Sequence, residues 1–315
     1  MEKFKHELES RETSRADLME RFLAVRNYSS AICKKLEVED LCVQPNPEVS
    51  PLKWHLAHTS WFYEQLILKK FLPNYSEFNS EFNFLFNSYY KAAGEHWKQD
   101  CRGQLSRPTY SEILKFRDHI DTEMIKIINE GELSEFIFNL EIGLQHEQQH
   151  QELMLMDLKF ILSLGCTYPS YIDTRLPKSI AKESTWESFD EGVYQVGHDE
   201  PSFAFDNESP KHKTYIYPFQ ISNQLVTNGE YLRFINEGGY LKASLWLSQG
   251  WDWINNSKIQ TPLYWRQING EWFEFTLYGL EPLDFNRPLS HISYFEADAY
   301  ASWSGGRLPT EQECE

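Results

Sequence analysis

The sequence predicts an α plus α+β protein, in which a four-helix bundle precedes a loop-rich domain of mixed strands and helices. Helical periodicity dominates up to about residue 165, whereas short alternating segments and many Gly, Asn, Pro and aromatic residues follow from Trp186 onward. A chain of 315 residues is long enough for two domains. We therefore expect the bundle at residues 1–170, a linker at 171–185 and the second domain at 186–315.

Four segments of the first domain have apolar residues at helical spacing. The predicted helices run from about Ser10 to Leu36, from Pro51 to about Phe71, from Pro108 to Gly131 and from Gly131 to Gly165. Residues 74–107 are aromatic-rich and are predicted to be irregular, and a loop this long inside a compact domain is usually functional. Inward side chains build metal sites in the cores of such bundles, so histidines on these helices are candidate ligands.

The second domain gives weaker signals. Residues 192–196 and 212–217 alternate as short strands do, and Val226 to Asn236 and Tyr294 to Ser304 are predicted to form short helices.

Composition excludes several classes of partner. The net charge of -17 argues against nucleic acid and anionic membranes, which both require clustered Lys and Arg. No apolar run reaches membrane-spanning length, and the charged amino-terminal stretch lacks the apolar core of a secretory signal. The five cysteines are scattered without a CxxC motif, which fits a reducing cytosol, so we expect a cytoplasmic protein. The sequence carries no signal for oligomeric state.

The segment His146-Glu147-Gln148-Gln149-His150 carries the first candidate site. Residues four apart lie on one face of a helix, so the two imidazoles can share a metal ion. Three interpretations are open: a pair of hydrogen-bonded core histidines, the HExxH signature of zinc peptidases with Glu147 as general base, or half of an iron site completed from another helix.

A third histidine is available on the second predicted helix. His58 lies about one turn from both Trp54 and Trp61, on an aromatic stripe, and His55 is the alternative ligand on the same helix. His58 would complete a face of three histidines.

Several motifs in order resemble the sulfoxide synthases of ergothioneine biosynthesis. The bundle contains PLKWHLAHT at 51–59, FNSYY at 86–90 and QHEQQHQE at 145–152, and the second domain contains FAFDNE at 203–208, VTNGEY at 226–231, GGY at 238–240, PLSHIS at 288–293 and GRLPTE at 306–311. This set is far more specific than HExxH alone, and it disfavours the peptidase interpretation. The resemblance implies a non-haem iron enzyme with a DinB-like four-helix bundle and a formylglycine-generating-enzyme-like domain of C-type-lectin fold.

The resemblance also implies roles for individual residues. His58, His146 and His150 would bind Fe(II), and His55 would support the site without binding the metal.

Gln149 would help hold the histidine-derived substrate, Tyr89 and Tyr90 would lie near the iron, and Arg102 and Arg107 would grip the carboxylate of the thiol substrate. Ordinary loop packing of the tyrosines and solvated arginines are the structural alternatives.

The implied reaction joins the sulfur of cysteine or γ-glutamylcysteine to C2 of hercynine, with O2 as co-substrate. Neutral imidazoles suit Fe(II), and three of them leave coordination positions open. Metal binding would deprotonate a thiol whose free pKa is about 8.5, and a tyrosine of pKa about 10 could donate a proton nearby. Aromatic residues of the second domain could hold the trimethylammonium group.

Other functions compete with this one. Related ovothiol-type or selenoneine-type synthases differ only in substrates, and FNSYY favours hercynine. A catalytically inactive DinB-like protein would bind metal without turnover. A zinc hydrolase would require Glu147.

The carboxy-terminal segment departs from the family pattern. Family members continue past GRLPTE, whereas this chain ends at Glu315, and Cys314 replaces the usual Trp. We therefore expect a fragment or a truncated product with unpaired strand edges and poor solubility.

Overall fold

The structure is a computed structural model that describes residues 14–90, 94–200 and 202–315. The chain forms two compact units, and the boundary between them falls after Cys166. The start of the predicted first helix, residues 10–13, lies outside the described residues.

Four long helices make up the first unit. They are α1 (Arg15–Lys34), α2 (Leu52–Tyr63), α4 (Tyr110–Glu130) and α5 (Leu133–Ser163). The Ser14 side chain caps α1, and Thr109 with Glu112 forms a capping box that begins α4. The helix α2 packs against both α4 and α5, and α1 packs against α5 and α4. In the part of the chain that the structure describes, no helix is long and apolar enough to cross a membrane.

The second predicted helix has an irregular end. After α2, the backbone continues as a π-helical segment, Glu64–Leu68, and one last turn, Lys69–Phe71. The prediction that residues 74–107 are irregular is wrong in part, because they contain the helix α3 (Phe82–Phe86) and a 3-10 helix at Gln99–Gln104. These short elements place the FNSYY segment beside α2.

A buried charge network connects the four long helices. Glu147 of α5 accepts hydrogen bonds from Arg26 of α1 at 3.0 Å and from Arg117 of α4 at 2.6 Å. Arg26 also donates to Asp121 and to the hydroxyl of Ser60 on α2. Two guanidinium and two carboxylate groups balance one another, so the charges are paired although Glu147 is fully buried.

In its described residues, the second unit contains three small antiparallel sheets. Its strands are β1 (Trp186–Phe189), β2 (Gly192–Val196), β3 (His212–Ile216), β4 (Phe219–Ser222), β5 (Trp265–Ile268), β6 (Glu271–Thr276) and β7 (Gly279–Pro282). The pairs are β1 with β4, β2 with β3, and the meander β5-β6-β7. The predicted strands at 192–196 and 212–217 correspond to β2 and β3, which pair with Val193 opposite Tyr215.

The α-helices that the structure describes beside these sheets are α6 (Asn228–Asn236), α7 (Ser248–Ser257), α8 (Tyr294–Trp303) and α9 (Glu311–Cys314). The two helices predicted in this domain correspond to α6 and α8, each of which begins with a capping box. Their apolar faces share an aromatic core whose central residues are Tyr231, Phe234 and Trp265. Gly239 is required there, because an added Cβ would lie 2.2 Å from the Phe234 ring.

We predict that Glu147→Gln lowers the free energy of unfolding by about 3–5 kcal/mol, because it leaves two buried guanidinium groups with one carboxylate between them. Urea denaturation at neutral pH measures the loss. Glu152→Gln, on an exposed position of the same helix, is the control and should change stability by less than about 0.5 kcal/mol. Equal stabilities of the two variants would contradict the network's role.

Candidate metal centre

Three histidines of the first unit converge. His58 comes from α2, and His146 and His150 come from α5, where their spacing of four puts them on one side of the helix. One ring nitrogen of each lies within 4.8 Å of the other two. The structure therefore brings together the three residues that the sequence selected, and their role as metal ligands stays a prediction.

The ring of His58 is held in one orientation. Its Nδ1 donates to the carbonyl of Phe86 at 2.6 Å, so in the neutral ring the lone pair is on Nε2. The ring is stacked between Trp54, at 4.6 Å between centroids, and Trp61, at 5.4 Å. The Nε2 atom lies 3.2 Å from Nε2 of His146. An aromatic stack and one hydrogen bond thus direct the lone pair toward the other histidines.

His146 has an unsatisfied polar atom. Its ring packs on Phe62 at 4.5 Å between centroids, and its Nδ1 is buried without a hydrogen-bond partner among the described residues. A neutral His146 has two possible tautomers. With the proton on Nε2, it donates to His58, and the lone pair of its Nδ1 has no partner. With the proton on Nδ1, the lone pair of its Nε2 faces the lone pair of His58. A cation between the Nε2 atoms removes the second conflict.

His150 has a hydrogen-bonded support. Its Nδ1 lies 2.8 Å from Nδ1 of His55, whose Nε2 lies 3.0 Å from a carboxylate oxygen of Asp157. His55 is therefore placed behind His150 and its ring nitrogens are both engaged, which agrees with a supporting position rather than with that of an alternative ligand. Asp157 was not among the site residues predicted from the sequence. Its spacing of two helical turns from His150 places it on the same face of α5, and this spacing could have identified it.

Burial favours neutral imidazoles in this cluster. Desolvation and the neighbouring histidines hold the pKa values of His58 and His150 well below 6.5. Desolvation lowers the pKa of His146 to about 4. Neutral imidazole is the form that binds metal, so the cluster offers three ligands at neutral pH.

Glu147 is not placed as the general base that a zinc hydrolase needs. Burial alone would raise its pKa, but Arg117 and Arg26 overcome that effect and lower the pKa to about 2. One carboxylate oxygen accepts from Arg117 and Ser29, and the other accepts from Arg26. A carboxylate held in this way is a poor proton acceptor. The zinc-hydrolase alternative is wrong on this point, although HExxH matches in letters.

The two tyrosines of FNSYY differ in position. Tyr90 is half-buried, with its ring 5.5 Å from that of Trp61 and 6.4 Å from that of His146. Burial, with a smaller effect of Tyr89, raises the pKa of Tyr90, so the phenol keeps its proton at neutral pH. Tyr89 is 79% exposed and stacks on the outer side of Tyr90.

The remaining predicted site residues surround the cluster at different depths. Arg102 is buried with its guanidinium 3.4 Å from the ring centroid of Trp54, and it donates to the Ser50 hydroxyl. Desolvation lowers its pKa to about 10, so it remains cationic at neutral pH.

Arg107 is exposed and donates to the carbonyl of Ser106. Gln149 is exposed on α5. The alternative stated for the sequence, that both arginines are solvated surface residues, is wrong for Arg102.

Comparisons with known proteins agree with the two units. The model of the DinB superfamily matches residues 21–154, and the model of the sulfatase-modifying factor enzyme 1-like domain matches residues 181–315. The fold class is therefore confirmed: a DinB-type helical domain with a three-histidine cluster precedes a domain of the sulfatase-modifying factor type.

Three relatives are similar over most of this chain, and all are hercynine oxygenases. That of Mycobacterium tuberculosis is 29% identical over 88% of this chain and 63% of the relative. Those of Mycolicibacterium smegmatis and Mycolicibacterium thermoresistibile are 30% and 28% identical, over 86% and 96% of this chain and 62% and 66% of the relatives. This similarity and the two domain matches support the ergothioneine sulfoxide synthase family, and the chain spans a little under two thirds of the length of these relatives.

We predict that the metal-free protein loses stability as the pH falls from about 6.5 toward 4. The histidine pKa values are lower in the folded than in the unfolded chain, so the unfolded chain binds more protons below 6.5. His146 alone would contribute on the order of 3 kcal/mol at pH 7, all of it lost below about pH 4. Denaturation of metal-free protein between pH 7 and 4.5 measures the slope. His146→Gln removes one titrating group and should flatten it, and an unchanged slope would contradict the assignment.

Proposed function

We propose that this protein is an Fe(II)- and O2-dependent sulfoxide synthase that joins a thiol, cysteine or γ-glutamylcysteine, to C2 of hercynine in ergothioneine biosynthesis. The single observation that carries the proposal is the convergence of His58, His146 and His150 in a chain similar to hercynine oxygenases over most of its length. The name of those relatives supports hercynine and oxygen chemistry in this proposal, and the convergence of the three histidines supports a metal site.

The residues fit an iron ion. Two nitrogens bound to one metal at about 2.1 Å and at right angles are about 3 Å apart, and the Nε2 atoms of His58 and His146 lie 3.2 Å apart. The unpaired polar atom of His146 indicates a cluster that is not satisfied by its protein partners alone. Three imidazoles also suit zinc, but zinc has no redox chemistry, and activation of O2 at a metal centre needs a redox-active ion. Bound there, Fe(II) would hold the thiol as thiolate and activate O2.

The chain's own residues would position the substrates and exclude water. Trp54, Trp61 and Phe62 form apolar walls around the histidines, so a ligand that reaches the centre is desolvated. Tyr90 keeps its phenolic proton beside His146, where it can donate that proton to a developing negative charge.

The recognition of charged groups falls to residues around the cluster. Arg102 is cationic and is fixed on Trp54, as a residue that binds the thiol substrate's carboxylate should be. In this proposal Gln149 contacts hercynine, Tyr89 covers Tyr90, and Arg107 is a second cation for the carboxylate.

Two other functions remain as candidates. A synthase of the ovothiol or selenoneine type would use the same cluster with other substrates. A metal-binding protein without turnover would keep the histidines while Tyr90 and Arg102 had no catalytic role.

The test is nitric-oxide EPR on anaerobic protein loaded with Fe(II), with and without hercynine. We predict an iron-nitrosyl signal that disappears in His150→Ala and that hercynine changes in shape, because the substrate would enter a site open beside the metal. Gln148→Ala, an exposed position between the histidines, is the matched control and should keep both features.

A signal that does not respond to hercynine would favour the two alternative functions. The absence of any nitrosyl signal in protein that binds zinc tightly would contradict the iron chemistry.

A further inference from the structure

We propose that Asp157 is a positioning residue that acts through His55 to set the tautomer of His150 and thereby to strengthen metal binding at the cluster. The inference rests on the proposed function only for the identity of the site, since it concerns any divalent metal that the three histidines bind. It assigns a role to a residue that does not itself reach the metal.

The carboxylate of Asp157 determines which nitrogen carries the proton in each histidine of the series Asp157, His55 and His150. A carboxylate only accepts, so Nε2 of His55 carries the proton in the 3.0 Å contact with Asp157. A neutral His55 then has its lone pair on Nδ1, which lies 2.8 Å from Nδ1 of His150. That lone pair needs a donor, so the proton of His150 is on Nδ1 and the free lone pair is on Nε2.

The opposite polarity would remove a ligand. If His150 carried its proton on Nε2, that nitrogen could not bind a metal, and the two Nδ1 lone pairs would face each other at 2.8 Å. Histidines that bind metals commonly donate their second nitrogen to a carboxylate or carbonyl, which fixes the tautomer and raises the basicity of the ligand. His58 donates directly to such an acceptor, the Phe86 carbonyl. For His150, the imidazole of His55 lies between the ligand and the carboxylate.

The carboxylate is itself oriented by groups outside the two histidines. The oxygen of Asp157 that contacts His55 also accepts from the backbone N–H of Ser50 at 2.9 Å. The hydroxyl of Ser50 accepts from Arg102 at 2.8 Å. Asp157 is only 15% exposed, so its negative charge acts on His55 with limited screening by solvent. The Ser50 N–H, from the segment before α2, thus holds Asp157 on α5 in place, and Arg102 in turn holds the Ser50 side chain.

The expected effect is a loss of metal affinity. Replacement of such supporting groups typically weakens metal binding about 10- to 100-fold. Asp157→Ala removes the acceptor and should fall near the upper end of that range. Asp157→Asn keeps the shape and one acceptor oxygen but not the charge, and it should weaken binding about 10-fold. A role limited to packing would leave the affinity of Asp157→Asn unchanged.

The experiment is a chelator competition with Co(II), whose visible absorption reports imidazole coordination, on the whole chain and on Asp157→Asn, Asp157→Ala and Glu152→Gln. Circular dichroism establishes that each variant is folded, and Asp157→Asn carries the test if Asp157→Ala does not fold. Glu152→Gln, an exposed carboxylate on the same helix, should retain the parent affinity. Long-range ¹H–¹⁵N spectra of the metal-free protein, labelled on histidine, should show His150 protonated on Nδ1 and His55 on Nε2.

Parent affinity for Co(II) in Asp157→Asn, or His150 protonated on Nε2 in the parent protein, would overturn the proposal. Because Co(II) affinity and tautomer are measured without turnover, a failure of sulfoxide synthesis would leave this result unaffected. Conversely, a failure of the relay would leave the proposed reaction standing.

Discussion

The paired charges around Glu147 are the constraint on which the arrangement of the bundle depends. An ionised carboxylate in a core is stable only where its partners surround it, and Arg26 and Arg117 come from two different helices. Since Glu147 must meet them, the rotation of α5 about its axis is fixed. The adjacent His146, about 100° around the same helix, then faces α2 and not the network. The buried ion cluster around Glu147 therefore determines which way the uncharged imidazoles of α5 face.

The imidazole cluster is built in the opposite manner. Its members are neutral, and apolar rings surround them: Trp54 and Trp61 on either side of His58, and Phe62 against His146. Among the described residues, the polar partners of the cluster are the Phe86 carbonyl, which accepts from His58, and His55, which lies behind His150. Such surroundings would suit a cation that accepts lone pairs, and a substrate beside it would be desolvated. The chemistry that we propose needs both conditions.

Much of this could be predicted from the sequence, because it depends on local spacing. The helical period placed His146 and His150 together, and an aromatic stripe distinguished His58 from His55. The sequence did not indicate that Arg102 is buried on Trp54, since that contact joins a 3-10 turn to a distant helix. Nor did it indicate the partners of Glu147, which are close only after folding.

The second unit was harder to predict for a physical reason. Its strands have four to six residues, too few to establish a period, and most of their side chains on β1, β2 and β3 are exposed. The strands β1 and β4 and the meander β5-β6-β7 were missed because they are short. The helix α7 was also missed, and it begins without a side-chain cap. The helices α6 and α8 were predicted, and in the structure each begins with a capping box, at Thr227 and Ser293.

The most direct test of the account is a crystal structure of anaerobic protein grown with Fe(II), with anomalous diffraction recorded at the iron edge. The account predicts one strong anomalous peak within bonding distance of Nε2 of His58, His146 and His150. A peak elsewhere, or bound iron that leaves any of these three nitrogens unligated, would contradict it.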